Sequence, residues 1–357
     1  MTAAELTQWG WDESWAAALD ALNAPELIAA RVIAQHRGLW LAITPDGESQ
    51  ALPTGRFRHQ AGEGELPAVG DWVGGLPSPH GGEFRIDAVL PRRSAFRRRA
   101  AGSRVSVQIV AANVDTLFVA TSLNADLNAR RLERYVTMAR ESGAEPVVLL
   151  TKADLIEGAQ QTADRLSAQL RVETIALSPK TGAGVDSVTR WFVPGRTLAL
   201  VGSSGVGKST LLNRLAGEKL MVTKEIRDDD SRGRHTTTHR ELFRLPGGAL
   251  MLDTPGMREL GLWDADEGLD ETFAEIAELA TRCRFADCSH QAEPGCAVTA
   301  AVEDGRLDPK RLRSYRRLAR ELEDQPTPQE RRARDRQFGR MVRRISEDTA
   351  ARKSYRE

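Results

Sequence analysis

Gly202, Ser203, Ser204, Gly205, Val206, Gly207, Lys208 and Ser209 form a Gly-x-x-x-x-Gly-Lys-Ser run between the apolar segment Thr197–Val201 and a helical pattern starting near Lys208. Strand, glycine-rich turn and helix in that order suit a phosphate cradle. Glycines let backbone N–H groups turn inward around the phosphates, a lysine reaches the β- and γ-phosphates, and the next hydroxyl can ligate Mg2+. Here Lys208 is the cation, Ser209 the Mg2+ ligand, and Thr210 follows toward the α-phosphate. The implied chemistry is nucleoside triphosphate binding. A plain glycine turn would need neither the lysine nor the hydroxyl.

Further residues specify the base and the metal. Thr151, Lys152, Ala153 and Asp154 directly follow the apolar run Pro146–Leu150. A carboxylate such as Asp154 can accept two hydrogen bonds from guanine N1–H and the exocyclic amine, while the Lys152 stem lies along the base; such paired bonds discriminate against adenine. Alone, the four residues would serve equally well as a helix N-cap. Ser178 opens Ser178-Pro179-Lys180 at the end of Glu173–Leu177, matching the loop that packs beside guanine, although Ser-Pro is also common at turns.

Asp253-Thr254-Pro255-Gly256 follows Ala249–Leu252. Asp253 suits the carboxylate behind the Mg2+ water shell and Gly256 the γ-phosphate sensor, the alternative being a Pro-Gly turn. Between this segment and the phosphate cradle lies Gly233-Arg-His-Thr-Thr-Thr-His239. A hydroxyl here, Thr237 or else Thr236, can complete the Mg2+ shell when the γ-phosphate is present, in a loop that orders on nucleotide; a solvated Thr-rich loop is the alternative. Met257 occupies the position where a water-orienting glutamine would stand, and its thioether cannot do that work. His235 is the candidate for orienting water, against an RNA contact or a solvated side chain. Gly205 at the fourth cradle position gives no reason to expect bound potassium.

Cys283, Cys288, His290 and Cys296 are a second constellation, and they include every cysteine of the chain. Three thiolates and an imidazole make a full tetrahedral set for one structural Zn2+, with no position open for substrate. Iron fits less well in a cluster containing a histidine and no second cysteine pair.

These groups need elements to carry them. A chain of 357 residues exceeds one typical core. Residues 1–27 read as a Trp-rich helical extension and 28–104 as short strands, Ala30–Gln35, Leu39–Thr44, Gln50–Leu52, Gly70–Val73 and Phe84–Leu90, forming a small barrel of OB or SH3-like type. Residues 105–262 alternate apolar strands with helices, predicting a parallel sheet covered on both faces. Residues 263–357 read as a helical metal-binding domain with an Arg-rich tail. The fold class is therefore multidomain: an OB-like β-barrel, a central α/β P-loop domain and a C-terminal helical zinc-binding domain.

Formal charge balances to zero, so polyanion binding must come from local patches. Arg92, Arg93, Arg97, Arg98, Arg99 and Arg104, with Phe96 among them, form an acid-free run that closes the barrel; it suits an RNA backbone with a stacking ring, or else a solvated linker. The Arg-rich tail, interspersed with acids, suits a salt-bridged helical surface or an RNA-docking helix pair. No apolar run of membrane-spanning length and no basic-then-apolar opening are present, so a cytoplasmic protein is expected.

An ordinary GTPase runs from phosphate cradle through switch threonine and Asp-x-x-Gly to the guanine motifs. This chain runs Asp154, Ser178, Gly202–Ser209, Thr237, Asp253, which is a circular permutation rejoined near Val193–Gly195. The permuted order, Gly-Arg-His-Thr-Thr-Thr, Asp-Thr-Pro-Gly-Met and the Cys/His cluster resemble the RsgA family of small ribosomal subunit biogenesis GTPases over nearly the whole chain. The resemblance implies an OB domain, a permuted GTPase and a zinc domain. It also implies Mg2+ with GTP or GDP, binding to the 30S subunit and its 16S rRNA during late maturation, slow hydrolysis that the subunit stimulates, and action as a monomer. The competing reading is a zinc-dependent RNA-binding scaffold whose GTPase activity is incidental.

Overall fold

The computed structural model describes residues 4–36, 38–62, 65–78, 82–99, 107–124, 127–203, 205–216, 240–253, 266–291 and 293–323. Two short helices open the chain, α1 (Ala4–Thr7) and α2 (Glu13–Asp20). Asp12 caps α2, its carboxylate accepting from the N–H groups of Ser14 and Trp15. Trp15 is buried against Trp72, whose ring also meets Trp11 edge-on with centroids 4.8 Å apart.

The barrel comprises β1 (Ile28–His36), β2 (Leu39–Thr44), β3 (Gly47–Pro53), the helix α3 (Gly55–Gln60), β4 (Trp72–Pro77) and β5 (Glu83–Val89). Its ladder runs β1–β2–β3–β5–β4 and returns to β1, with β3 and β5 parallel and the other pairs antiparallel. Of the two barrel types expected, this five-stranded closure is the OB type. Ala30, Val32, Trp40, Ala42, Ala51, Val73, Phe84 and Ile86 fill it.

Next come β6 (Ala95–Arg99) and β7 (Val107–Ala112), an antiparallel pair of their own. The arginine run thus does not close the barrel. Phe96 is 1% exposed and cannot stack on a base. Arg92 forms a bidentate pair with the buried Asp71, at 2.8 and 2.7 Å, and Arg93 pairs with the α2 cap Asp12 at 2.7 Å. Arg92 is a structural cation, because a carboxylate inside the protein must be paired or neutralised, whereas the Arg93–Asp12 pair lies in solvent at the end of α2.

The central sheet is built from β8 (Thr116–Ser122), α4 (Ala129–Ser142), β9 (Glu145–Thr151), α5 (Ala159–Leu170), β10 (Glu173–Ala176), β11 (Thr197–Gly202), α6 (Lys208–Ala216), β12 (Arg240–Arg244) and β13 (Leu250–Asp253). Its order is β10-β9-β8-β11-β13-β12, parallel except for the antiparallel β12. Both faces are covered, so the strands read as continuous apolar runs, and all of β8 is buried. Alternate residues face opposite layers: Leu117, Val119, Val148 and Leu150 join the core beneath α4, whereas Phe118, Ala120, Val147 and Leu149 pack with Val206 and Leu211 of the cradle and α6. Gly143 ends α4 in the left-handed conformation (φ 86°), where a Cβ would lie 2.6 Å from the Arg93 carbonyl. Beyond β12 the sheet continues into the barrel, through Ala34 opposite Glu241 and Gln35 opposite Arg240.

The C-terminal helices are α7 (Asp266–Thr272), α8 (Ala274–Ala280), α9 (Ala297–Glu303) and α10 (Pro309–Glu323). Phe273, Ile276, Val298, Ala301, Leu312 and Leu318 share one core with Leu132 and Val136 of α4. Arg311 is the polar centre of this joint. It donates to Glu133 at 2.8 Å, to Glu275 at 2.5 Å, and to the carbonyls of Thr272 at 2.6 Å and Gln169 at 3.1 Å, and it covers the Phe273 ring at 4.2 Å.

Candidate functional site

Four of the singled-out segments lie at the carboxyl ends of parallel strands: Thr151–Asp154 after β9, Ser178 after β10, Gly202–Ser209 after β11 and Asp253 at the end of β13. The strand order reverses between β8 and β11, since β8, β9 and β10 advance one way and β11 and β13 the other. Open α/β sheets bind ligands in the crevice at such a point.

The cradle is held from inside. Gly202 adopts φ 148°, and a Cβ there would lie 2.2 Å from the Ala120 carbonyl of β8, so only glycine lets the loop leave the sheet at that point. Gly205 and Gly207 also have positive φ. The Lys208 ammonium donates to the carbonyls of Gly202 at 2.8 Å and Ser203 at 2.6 Å, spanning the loop it follows. Ser209 and Thr210 are exposed in the first turn of α6.

The Thr151 hydroxyl, fully buried, donates to the Val206 carbonyl at 2.6 Å and lies 3.3 Å from that of Thr121. The first residue of the Thr151–Asp154 segment is therefore bonded to the middle of the glycine-rich loop. Lys152 sits in the left-handed region (φ 59°), which turns the chain into the single-turn 3-10 helix Ala153–Leu155 carrying Asp154. The Ala153 N–H donates to the Leu177 carbonyl at 3.2 Å, joining this turn to the residue before Ser178. Ser178 is buried, and its Oγ accepts from the Thr181 N–H at 3.2 Å.

One participant had no signal in the sequence. Arg214, on α6, donates to the carbonyls of Pro179 at 3.0 Å, Lys180 at 3.2 Å and Thr181 at 3.3 Å. An arginine six residues beyond the cradle lysine looks like any solvated helix position until the Ser178 loop is laid beside it.

Ser204, His235, Thr236, Thr237, Gly256 and Met257 lie outside the described residues. Asp253 is described by its backbone, the last residue of β13, in register with Glu241.

The second constellation does assemble. The ligand atoms of Cys283, Cys288, His290 and Cys296 all lie within 4.8 Å of one another. Sγ of Cys283 and of Cys296 are each 3.6 Å from His290 Nδ1 and 3.9 Å from each other. A tetrahedral ion with metal–sulfur bonds of about 2.3 Å and metal–nitrogen bonds of about 2.0 Å spaces its ligand atoms by roughly 3.5–3.8 Å, so the set fits one metal ion. Burial would raise the Cys296 thiol, but hydrogen bonds from Thr299, His290 and Cys288 bring it down to about 6, favouring a thiolate. Glu293 ties the connecting loop, accepting from the N–H groups of Ser289 at 2.9 Å and Gln291 at 2.7 Å and from the Ser289 hydroxyl. Those bonds, the Ser289 hydroxyl first, hold its carboxyl at about 2. On the other side Arg316 of α10 donates to the His290 carbonyl.

Comparison with known proteins agrees with this geometry. Residues 89–263 match the family model described as RsgA GTPase. A protein of Opitutus terrae named small ribosomal subunit biogenesis GTPase RsgA is 48% identical over 329 residues, covering 88% of this chain and 89% of its own. Another of that name, RsgA 2 of Lactiplantibacillus plantarum, is 50% identical over 300 residues and 83% of each chain. In fold, the crystal structure of YjeQ from Thermotoga maritima superposes with a TM-score of 0.61 at 24% identity, over 84% of this chain and 100% of that one. YloQ, described as a circularly permuted GTPase, gives 0.58 at 25% identity over 84% and 97%. With two such relatives aligned over most of its length and the permuted sheet in place, the chain belongs to the RsgA family of GTPases.

Proposed function

We propose that this chain is a GTP hydrolase that acts as a late-stage assembly factor of the small (30S) ribosomal subunit, binding 16S rRNA and using hydrolysis to time its release. One observation carries the catalytic half of this reading: the bond from Thr151 to Val206, which joins a base-reading turn to a phosphate cradle at the switch point of one sheet. The relatives named for small-subunit biogenesis support the other half.

In this reading, backbone amides of Ser203 to Lys208 surround the phosphates, and the Lys208 ammonium exchanges its loop carbonyls for phosphate oxygens. Thr151 and Ser178 fix the base loops, with Lys152 and Ala153 shaping the turn that presents Asp154 to guanine. Ser209 fits Mg2+ because its exposed hydroxyl makes no hydrogen bond among the described residues; Thr237 is the second proposed ligand, with Asp253 behind the ion's water shell. Mg2+ supplies charge neutralisation on the β- and γ-phosphates. Water attacks the γ-phosphorus as its bond to the bridging oxygen breaks, giving GDP and phosphate, with His235 as the group proposed to orient that water and Gly256 as the sensor of the γ-phosphate. The metal at Cys283, Cys288, His290 and Cys296 is proposed to be a structural Zn2+. The protein is expected to act as a cytoplasmic monomer; no described helix is long and apolar enough to cross a membrane.

GTP turnover measured with and without purified 30S particles tests this. The expected result is strong stimulation by the particles, abolished in Lys208→Ala. Equal turnover with and without particles would instead favour a scaffold with incidental GTPase activity.

A further inference from the structure

At the end of β11 opposite the cradle, where Thr197 leaves the linker 193–196, a cavity of about 520 Å3 opens between the N-terminal helices, the barrel and the central sheet. One water takes about 30 Å3 of the liquid, so the space is ample for a polyatomic ligand. Three of its lining residues carry a buried N–H with no acceptor among the described residues: Arg31 Nε, Trp72 Nε1 and Arg196 Nε. A buried donor without an acceptor has given up its hydration for nothing, and native proteins hold few such groups. Three around one cavity point to acceptor atoms inside it.

Arg31 is the clearest of the three. It is 2% exposed, and Trp72, whose ring it overlies at 5.2 Å, is fully buried. Its other two nitrogens donate to neutral oxygens, the Trp9 carbonyl and the Thr197 hydroxyl, the latter at 2.7 Å. The two acids whose charges reach it are bonded elsewhere: Asp71 holds Arg92, and Asp115 accepts from the Thr197 N–H at 2.6 Å. Burial draws the guanidinium down to about 10, and those two charges only partly offset it, so at neutral pH it is a cation with no anion in contact. Arg196 brings a second guanidinium, one terminal nitrogen on Glu145 at 2.6 Å and its Nε–H left over. Arg93 and Asp12, which also line the space, are paired with each other. Gly10 lets the N-terminal turn close against the linker, since a Cβ there would lie 2.5 Å from the Gly195 carbonyl and 2.9 Å from an Arg31 nitrogen.

We propose that this junction is a binding site for a phosphate group, with Arg31, Trp72 and Arg196 as its donors. A guanidinium and an indole N–H can only donate, and phosphate supplies anionic acceptors that a guanidinium matches well. A carboxylate offers two oxygens in one plane. Phosphate offers oxygens in four directions, which suits donors that come from β1, from β4 and from the linker before β11. A phosphate held here bonds the barrel to the start of β11, while the cradle lies past the other end of that strand, so the site is separate from the one proposed for nucleotide.

Calorimetric titration of the full chain with inorganic phosphate tests this, with an excess of a non-hydrolysable GTP analogue to keep phosphate out of the cradle and sodium chloride to hold the ionic strength constant. Wild type is expected to bind a single phosphate, and acetate about tenfold more weakly. Trp72→Phe keeps the ring and Arg196→Lys keeps the charge, yet each removes one N–H, and either weakens phosphate about tenfold. Arg190→Ala removes an exposed arginine outside the cavity and leaves the affinity within about twofold. Absence of saturable binding, or binding that both cavity variants retain in full, would overturn the proposal. Acetate bound as tightly as phosphate would overturn the choice of phosphate. Arg196→Lys decides the matter even if Trp72→Phe fails to fold, because the Arg196 side chain is 36% exposed and a lysine there can still reach Glu145.

Discussion

The Thr151 hydroxyl is buried between two carbonyls, and its bond to Val206 is the shortest of the direct side-chain links described between the base loops and the cradle. Thr151→Val keeps the shape and removes the donor, which leaves the Val206 carbonyl to find another partner. A loss of about 1–2 kcal/mol is expected, which weakens GDP binding by a factor of roughly 5–30. Titration calorimetry measures it, and unchanged affinity would mean that the bond serves the fold alone. The motif residues here were legible because each has chemistry that few other types supply: a lysine after glycines, a carboxylate after a strand, thiols near an imidazole. Arg214 was not legible. Its partners are backbone carbonyls, which any loop sequence would present, so nothing in residue type or spacing pointed to it.

The metal loop shows how much a short element can depend on its ligands. Among the described residues between Cys283 and Cys296 there is no helix or strand, and the described bonds within this segment centre on Glu293 and the ligands themselves. Removal of the ion by a chelator is expected to raise hydrogen exchange of amides 283–299 sharply while the nucleotide affinity of the cradle changes by less than about twofold. Mass spectrometry of the exchanged protein, with atomic absorption for the released metal, checks both halves. A protected loop after complete metal loss would show that Glu293 and Arg316 suffice. At this level the strands were read well, since Leu39–Thr44 and Phe84–Val89 are short strand-forming runs set off by turn residues, as in a small barrel. Of the arginine run, Phe96 and Arg92 differ from the expected open surface, Phe96 because it is buried and Arg92 because the buried Asp71, distant in sequence, takes it up.

Arg311 joins the C-terminal helices to the GTPase sheet with almost no exposure, 5% against 3% for Glu133. Truncation to Ala strands a buried carboxylate, and a stability loss of about 3–5 kcal/mol is expected by urea unfolding, much of it restored when Glu133 is replaced by Leu in the same chain. If the double variant were no more stable than the single one, packing over Phe273 rather than charge would hold the joint. The overall arrangement was readable from motif order, but this joint was not, because a pair so far apart in sequence leaves no local pattern. The permuted sheet also has a history in time. Chains are made from the N-terminus, so β8, β9 and β10 are complete while β11, the neighbour of β8, is still unmade. For the several seconds needed to extend the chain at roughly 5–20 residues per second, β8, every residue of which is buried in the finished sheet, waits with an open edge, of the kind that invites wrong partners. The loops proposed to read the base are thus made before the loop proposed to hold the phosphates exists, and that loop is born beside partners already waiting for it.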